Sequence, residues 1–395
     1  MPRSRWLFVL VLMLPGCAGV GPDLFDARLT ACLPDFANHG GWYGGDIASS
    51  IPLDDTPGRV RLWLFGDSFV EQPGSPGRRA YPYVSNSIGL SRCNERGWHF
   101  EAYWKDGEAT DPRAFFVPDP EAPWVRASVE RSGKSPWYWP LNGFAHEGRV
   151  YVGLLRVEAA SADGPFRMPF RSIGVDLATI RNPSAAPADW KIETVALSEA
   201  PGLFPVSAFV VHRTHVYAAA FLDRGDGRRP RSLVRWLLSA FVRGDADLEG
   251  LAETLGGDGR WHPGLDLDAA AIVFESDATE MSLYPDPLGN GFVAVSMSPG
   301  TSAIHVRRAE ALAGPWTERR RIHAIPPAGL DGVPGIPFCY AAKAHPGLGP
   351  PDRLRLTWVC SRYARNPEED LPVLRALQTY DGLYRPTSIE IDAPR

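Results

Sequence analysis

Two Gly-Asp pairs, Gly45-Asp46 and Gly66-Asp67, flank two strand patterns within the segment GGWYGGDIASSIPLDDTPGRVRLWLFGDSF, residues 40–69. Asp46 stands where the first strand begins and Asp67 where the second ends. In an antiparallel hairpin the start of one strand lies beside the end of the next, so both carboxylates are expected at one edge of the sheet. Two neighbouring acids are what glycosidic cleavage needs: one protonates the leaving oxygen, the other acts as base or nucleophile. Trp42 and Tyr43 beside them offer a flat apolar platform for a sugar ring. Asp46 and Asp67 are therefore the candidate catalytic pair, with Asp46 read as base or nucleophile and Asp67 as acid. The competing reading is that each caps a Gly-rich turn, where Asp is favoured whatever the chemistry.

Other residues extend that chemistry. Glu280 opens a strand pattern where a surface charge has no reason to be, and reads as a third acid that tunes a pKa or binds a sugar hydroxyl. A structural hydrogen bond would explain it equally. Asn142 and His345 read as hydroxyl-binding groups, against local turn bonding; Pro346 keeps His345 extended, which suits a hairpin cap. Trp104 and Trp139 join Trp42 and Tyr43 as candidate substrate-stacking rings, although aromatics are commonly internal packing. No metal and no cofactor is expected, since His212 and His215 are not spaced to aim at one face of a strand. Neither a Gly-x-Ser-x-Gly elbow nor a cysteine nucleophile setting is present, which argues against serine and thiol hydrolases.

Such residues need a scaffold on which several strand starts converge. Five segments share an apolar strand, a polar turn and a second alternating strand, and their second strands begin at Val60, Val150, Val216, Phe292 and Leu354. The spacing of about 60 to 95 residues accommodates a four-stranded blade with loops. The fold expected is all-β, a five-bladed β-propeller forming a single domain over residues 39–395, with a β-sandwich as the alternative. Its centre would be lined by Asp46, Asn142, Ser207, Glu280 and Lys343 or His345. The run from Ser232 to Val242 fits either a strand or a short helix. A content of 38 Pro, 39 Gly and 13 Trp suits many short strands and a carbohydrate ligand, and a net charge of −5 argues against nucleic acid as a partner.

GGWYGGDIASSIPL followed by WLFGDSF resembles the opening of the DUF4185-type five-bladed propellers. WYWPLNGF at 137–144, Glu280-Met281-Ser282, AGPW at 313–316 and YAAKAHPGL at 340–348 extend the resemblance over most of the chain, while Arg224–Arg243 has no counterpart. The resemblance implies an endo-acting hydrolase of D-arabinan, with Asp46 and Asp67 as the two aspartates implicated in catalysis. The substrate it implies is a furanose-containing polysaccharide such as arabinan. The alternatives are a surface glycan-binding lipoprotein without turnover and a propeller scaffold for protein contacts.

The N-terminus reads as a leader rather than fold. Arg3 and Arg5 precede the apolar run Trp6–Leu14, which is too short to span a membrane. Leu14-Pro15-Gly16-Cys17 resembles a bacterial lipobox, with Cys17 as the lipidated residue; Pro15 leaves ordinary signal cleavage as the alternative. Residues 1–17 are thus expected to form a signal peptide with lipobox, cleaved before Cys17, 18–38 to form an N-terminal arm, and the protein to be anchored by lipid to the outer membrane or cell surface. Without lipidation it would be periplasmic or secreted. In an oxidising compartment Cys32, Cys93, Cys339 and Cys360 are expected to pair. A hairpin centred at Gly349 and Pro350 sets Cys339 opposite Cys360, leaving Cys32 for Cys93.

Overall fold

The computed structural model describes residues 32–394 apart from 38–39, 54–59, 73–74, 80–82, 95–96, 107–110, 162–168, 245–246, 277, 299–300, 327–331 and 381. The leader with Cys17, and most of the arm, lie outside the described residues. The fold is all-β, and its strands run in chain order through a series of antiparallel meanders. The first sheet holds Ser49–Pro52, Val60–Phe65, Ser87–Asn94 and Gly97–Tyr103. The second holds Trp137–His146, Arg149–Ala159, Phe170–Ile180 and Ile192–Ser198. Leu203–His212, His215–Leu222, Arg231–Leu237, Glu253–Leu255 and Trp261–Pro263 make the third. Ser282–Pro285, Phe292–Ser296, Ala303–Ala309 and Arg320–Ala324 make the fourth, and Ile336–Ala344, Arg353–Tyr363 and Thr387–Asp392 the fifth. Two small sheets complete the chain, one of Trp42–Gly45, Ser68–Gln72 and Ser75–Arg79, the other of Lys105–Asp106 and Pro112–Arg113.

Local sequence accounts for these elements. Arg149–Ala159 is covered on both faces, so it reads RVYVGLLRVEA, nearly continuous in apolar residues rather than strictly alternating. Its hairpin turns at Glu147 and Gly148, both with positive φ (48° and 72°), as a two-residue turn between right-twisted strands requires. The ambiguous run at 232–242 is both structures in succession: Arg231–Leu237 is a strand and Leu238–Arg243 a short helix ended by left-handed Gly244. Cys339 lies opposite Cys360 in the fifth hairpin and is bonded to it, and Cys32 is bonded to Cys93.

The first strands of the five main sheets pack side by side in order, from Ser49–Pro52 through Trp137–His146, Leu203–His212 and Ser282–Pro285 to Ile336–Ala344. Polar side chains bolt each to the next. Asn142 donates from its amide to Ser49 Oγ (3.0 Å) and accepts from Phe209 N–H (2.9 Å). Ser207 Oγ donates to the Thr279 carbonyl (2.6 Å), and Ala344 N–H to Ser282 Oγ (2.9 Å). Lys343, with no exposed surface, donates to the carbonyls of Leu141 (3.1 Å) and Met281 (3.0 Å). The fifth sheet also meets the first, where His345 Nδ1 meets Ser50 Oγ (2.8 Å) and Arg61 donates to Ser50 Oγ (2.9 Å) and the Pro346 carbonyl (2.6 Å). Buried polar groups are tolerable here because each is hydrogen-bonded.

Candidate active site

The chain changes partner at the two aspartates. Before Asp46, Trp42–Gly45 pairs with Ser68–Gln72; after it, Ser49–Pro52 pairs with Val60–Phe65. Asp46 N–H donates to the Asp67 carbonyl (3.2 Å), and Gly66 N–H to the Asp46 carbonyl (3.3 Å), so the two residues stand side by side at the corner. Ala48 N–H also reaches the Asp46 carbonyl (2.8 Å) across Ile47, and both Ile47 (φ 68°) and Ala48 (φ 47°) are left-handed. A β-branched residue rarely accepts that geometry, which costs about 1–3 kcal/mol per residue and persists where the surroundings impose it. Glycines permit the close approach. A Cβ on Gly66 would lie 2.3 Å from Asp46 Oδ1, and one on Gly44 2.2 Å from the Tyr384 carbonyl.

Partners arrive from other sheets. Asp46, 9 % exposed, accepts at Oδ2 from the hydroxyls of Tyr340 (2.8 Å) and Tyr384 (3.0 Å), while its Oδ1 is buried without a hydrogen bond. Tyr340 is aimed by a bulge in the first strand of the fifth sheet, where Ala341 has φ 54°; Tyr384 itself has φ 59°. Asp67, only partly buried, accepts at Oδ1 from Trp139 Nε1 (2.8 Å) and is hydrogen-bonded by Tyr83. Trp139 packs edge-on against Phe170 (4.8 Å between ring centres) with Trp137 alongside (6.2 Å). Phe69 meets both Tyr83 (5.6 Å) and Tyr384 (5.2 Å).

Burial sets the electrostatics. It holds the Asp46 carboxyl well above the usual carboxylate range, the charges of Asp67 and Glu280 add to the rise, and the two tyrosines reverse it only in part. Burial also pushes Asp67 up to about 7, against the hydrogen bonds from Trp139 and Tyr83. The Asp67 charge opposes ionisation of Asp46, so the two carboxyls titrate as a pair. Glu280 is raised by burial, opposed by Lys343 and Arg231. Lys343 is lowered by burial to about 7, with Glu280 opposing. One acid that stays protonated beside one that ionises near neutrality is the electrostatic requirement for concerted acid–base work.

Residues 35–391 match the family described as Domain of unknown function (DUF5005). The chain belongs to this family. The expected kinship with the DUF4185-type propellers is thereby corrected, and the roles and D-arabinan substrate carried over from it lose that support. Motifs such as GGWYGGD describe a strand-start geometry, which the glycine contacts explain without common membership. A protein of Bacteroides ovatus, provisionally described as a hydrolase, shares this fold at 16 % identity and TM-score 0.62, over 90 % of this chain and 87 % of its own. Bacillus subtilis levansucrase (10 % identity, TM-score 0.45, 92 % and 87 % covered) and Cellvibrio cellulosa α-L-arabinanase (11 %, 0.41, 81 % and 87 %) are more distant. No curated protein matches the chain.

The DUF5005 fold brings Asp46, Asp67, Glu280 and Trp139 to one region and sends other candidates elsewhere. Trp42 is not a sugar platform: it is wholly buried, donates to Ser87 Oγ (3.0 Å) and packs on Phe65 (4.7 Å). Trp104 lies partly buried against that same core. Tyr43 is partly exposed, and its carbonyl accepts from Arg385 (3.3 Å). Asn142 spends both ends of its amide between sheets. His345 is buried, bonded at both ring nitrogens to Ser50 and Thr357 (2.8 Å each) and packed on Trp63, so it offers nothing to a ligand. Tyr83, Tyr340 and Tyr384 went unread in the sequence; only Tyr340, in a first strand three residues before Lys343, carried a positional signal. Among the described residues no group of three His, Cys, Asp or Glu is placed to hold a metal ion.

Proposed function

We propose that the protein is a five-bladed β-propeller glycoside hydrolase in which Asp46 is the proton donor and Asp67 the base or nucleophile. The observation that carries this is a pair of adjacent carboxylates from one hairpin with unequal environments, one buried and bonded to two phenols, the other partly open and near neutral pKa. Five first strands packed in order and closed from His345 to Ser50 support the blade count. The roles are the reverse of those expected from the sequence, because the donor should be the more desolvated acid. Asp46 gives its proton to the glycosidic oxygen as the C–O bond breaks, releasing an alcohol. Asp67 takes a proton from the attacking water, or attacks the anomeric carbon and is later released by water. In either case one water is consumed and one hemiacetal formed.

Three acids meet a substrate here, and the nearby cations are buried, Lys343 against the carbonyls of Leu141 and Met281 and Arg231 against those of Arg229 and Ala278. The ionised Asp67 would repel an anionic sugar, so the substrate is read as a neutral polysaccharide. Trp139 supplies the ring surface. The test is incubation with neutral glycans, arabinan, xylan and levan among them, followed by assay for new reducing ends. Asp46→Asn and Asp67→Asn should each lower the rate at least ~10³-fold with the fold intact. Full activity in either variant sinks the assignment, and binding without cleavage makes the protein a glycan-binding module. We further propose export with a lipid on Cys17. The Cys32–Cys93 and Cys339–Cys360 disulfides support an oxidising compartment, and metabolic labelling with a fatty-acid analogue should be lost in Cys17→Ala.

A further inference from the structure

The hairpins of the fourth and fifth sheets enclose a cavity of about 210 Å³ at the end of the molecule remote from the aspartates. Glu280 precedes the strand Ser282–Pro285, and the cavity lies at that strand's other end, around Tyr284 and the turn at Asp286. Six residues at ~3.3 Å each put about 20 Å between Glu280 and Asp286, so this is a different place from the candidate active site. Its walls are set in advance. Five prolines line it, among them the adjacent Pro350 and Pro351, and proline has its φ already fixed. Asp286 N–H closes the turn 286–291 on the Gly291 carbonyl (2.9 Å). The C-terminal stretch is tied down by Arg308, which donates to the Pro394 carbonyl, and by Ala393 N–H on the Asp352 carbonyl (2.7 Å).

Tyr284 supplies the polar group. It is 6 % exposed, with its ring packed in the core beside Val293 and Leu354. Its hydroxyl keeps some exposed surface toward the cavity and, among the described residues, has no hydrogen-bond partner. A tyrosine buried to this extent ordinarily finds one. The charges that act on it are those of Asp286 and Arg308, an ion pair (2.8 Å) in the same wall, and Arg308 Nε is also buried without a partner. Size and polarity choose the ligand. A dry cavity of about 150 Å³ already holds benzene, so the space here takes one ring. The lining is mostly apolar and would leave most hydroxyls of a sugar unpaired. An aromatic ring with one hydroxyl suits it, with proline C–H groups and the partly exposed guanidinium groups of Arg308 and Arg353 against its π-faces. We propose that this cavity binds a small phenol, whose hydroxyl forms a hydrogen bond with Tyr284. The inference stands apart from the hydrolase reading and needs no turnover.

Fluorine NMR titrations of the purified protein with 4-fluorophenol and with fluorobenzene test this. Both probes should bind saturably, the phenol ~5-fold more tightly because it alone gains the hydrogen bond. Tyr284→Phe keeps the ring and removes the hydroxyl, so it should bring the phenol down to the affinity of fluorobenzene. Fluorobenzene should bind the variant and the wild type alike, which shows that the cavity is intact. No saturable binding of either probe to the wild type overturns the proposal, as does a phenol affinity unchanged in Tyr284→Phe. Phenol binding that is lost in Trp139→Phe would place the ring at the candidate active site and overturn it as well. N-acetyl-tyrosinamide carries the same ring on a peptide backbone and should bind more weakly than the phenol. Tighter binding of that probe would make the occupant a tyrosine of a partner protein and overturn the small-molecule assignment.

Discussion

At the scale of single residues, the pair divides its labour through environment rather than through type. Asp67 has its pKa near 7, so it is the group whose ionisation opens the working range. As pH falls through about 7, Asp67 takes up a proton and can serve neither as base nor as nucleophile, and the rate should fall with it. Trp139 is the handle on this limb. Its N–H favours the charged form of Asp67, so Trp139→Phe removes a donor and leaves the ring surface. The acid limb of kcat/KM should move to higher pH by about half a unit or more, and kcat/KM at neutral pH should drop about two-fold or more. An unchanged acid limb in Trp139→Phe would separate Asp67 from the rate and disprove the assignment.

Individual elements show how backbone conformation sets the chemistry and why only part of it was legible beforehand. Alternating apolar residues revealed the hairpins, and hairpin geometry set Asp46 beside Asp67 and Cys339 opposite Cys360. That information is local, carried by side-chain period and turn position. The face on which a strand buries its residues is not local. Trp42 lies in a strand beside the aspartates yet points into the core, and Asn142 and His345 bridge neighbouring strands. Tyr384 reaches Asp46 through a positive φ that no glycine announces, and Ala341 bends the strand beside Tyr340 in the same way. Gly66 is where the element's geometry is most exposed to test. A methyl group there would meet Asp46 Oδ1 at 2.3 Å, so Gly66→Ala should displace the carboxyl and lower activity at least ~10²-fold. Far less should happen in Gly257→Ala, where nothing lies within 4 Å of the added Cβ and the backbone is not left-handed. Equal activity in the two variants would show that the position of Asp46 does not matter.

Across the whole molecule, the five main sheets are joined by polar bolts between their first strands, and this ties stability to pH from two directions. The raised carboxyls of Asp46, Asp67 and Glu280 favour the folded state at low pH and oppose it as pH rises through their folded values. His345 acts in the opposite sense. Burial holds it well below its ordinary value, with the charges of Arg61, Lys343 and Arg355 adding to the effect, and both ring nitrogens are tied to Ser50 and Thr357 across the closure of fifth sheet on first. The unfolded chain binds a proton at His345 below about 6.5, while the folded protein does not. The stability it contributes is therefore fully present above about pH 6.5. It is lost as pH falls, by ~1.4 kcal/mol for each pH unit until the folded pKa is reached. His345→Gln removes that titration but also loses the packing on Trp63, so the variant should melt lower than the wild type at pH 8. Between pH 7 and pH 5, however, its melting temperature should fall less steeply, bringing the two curves together. Parallel curves over that range would mean that the junction of fifth sheet and first does not depend on a neutral His345.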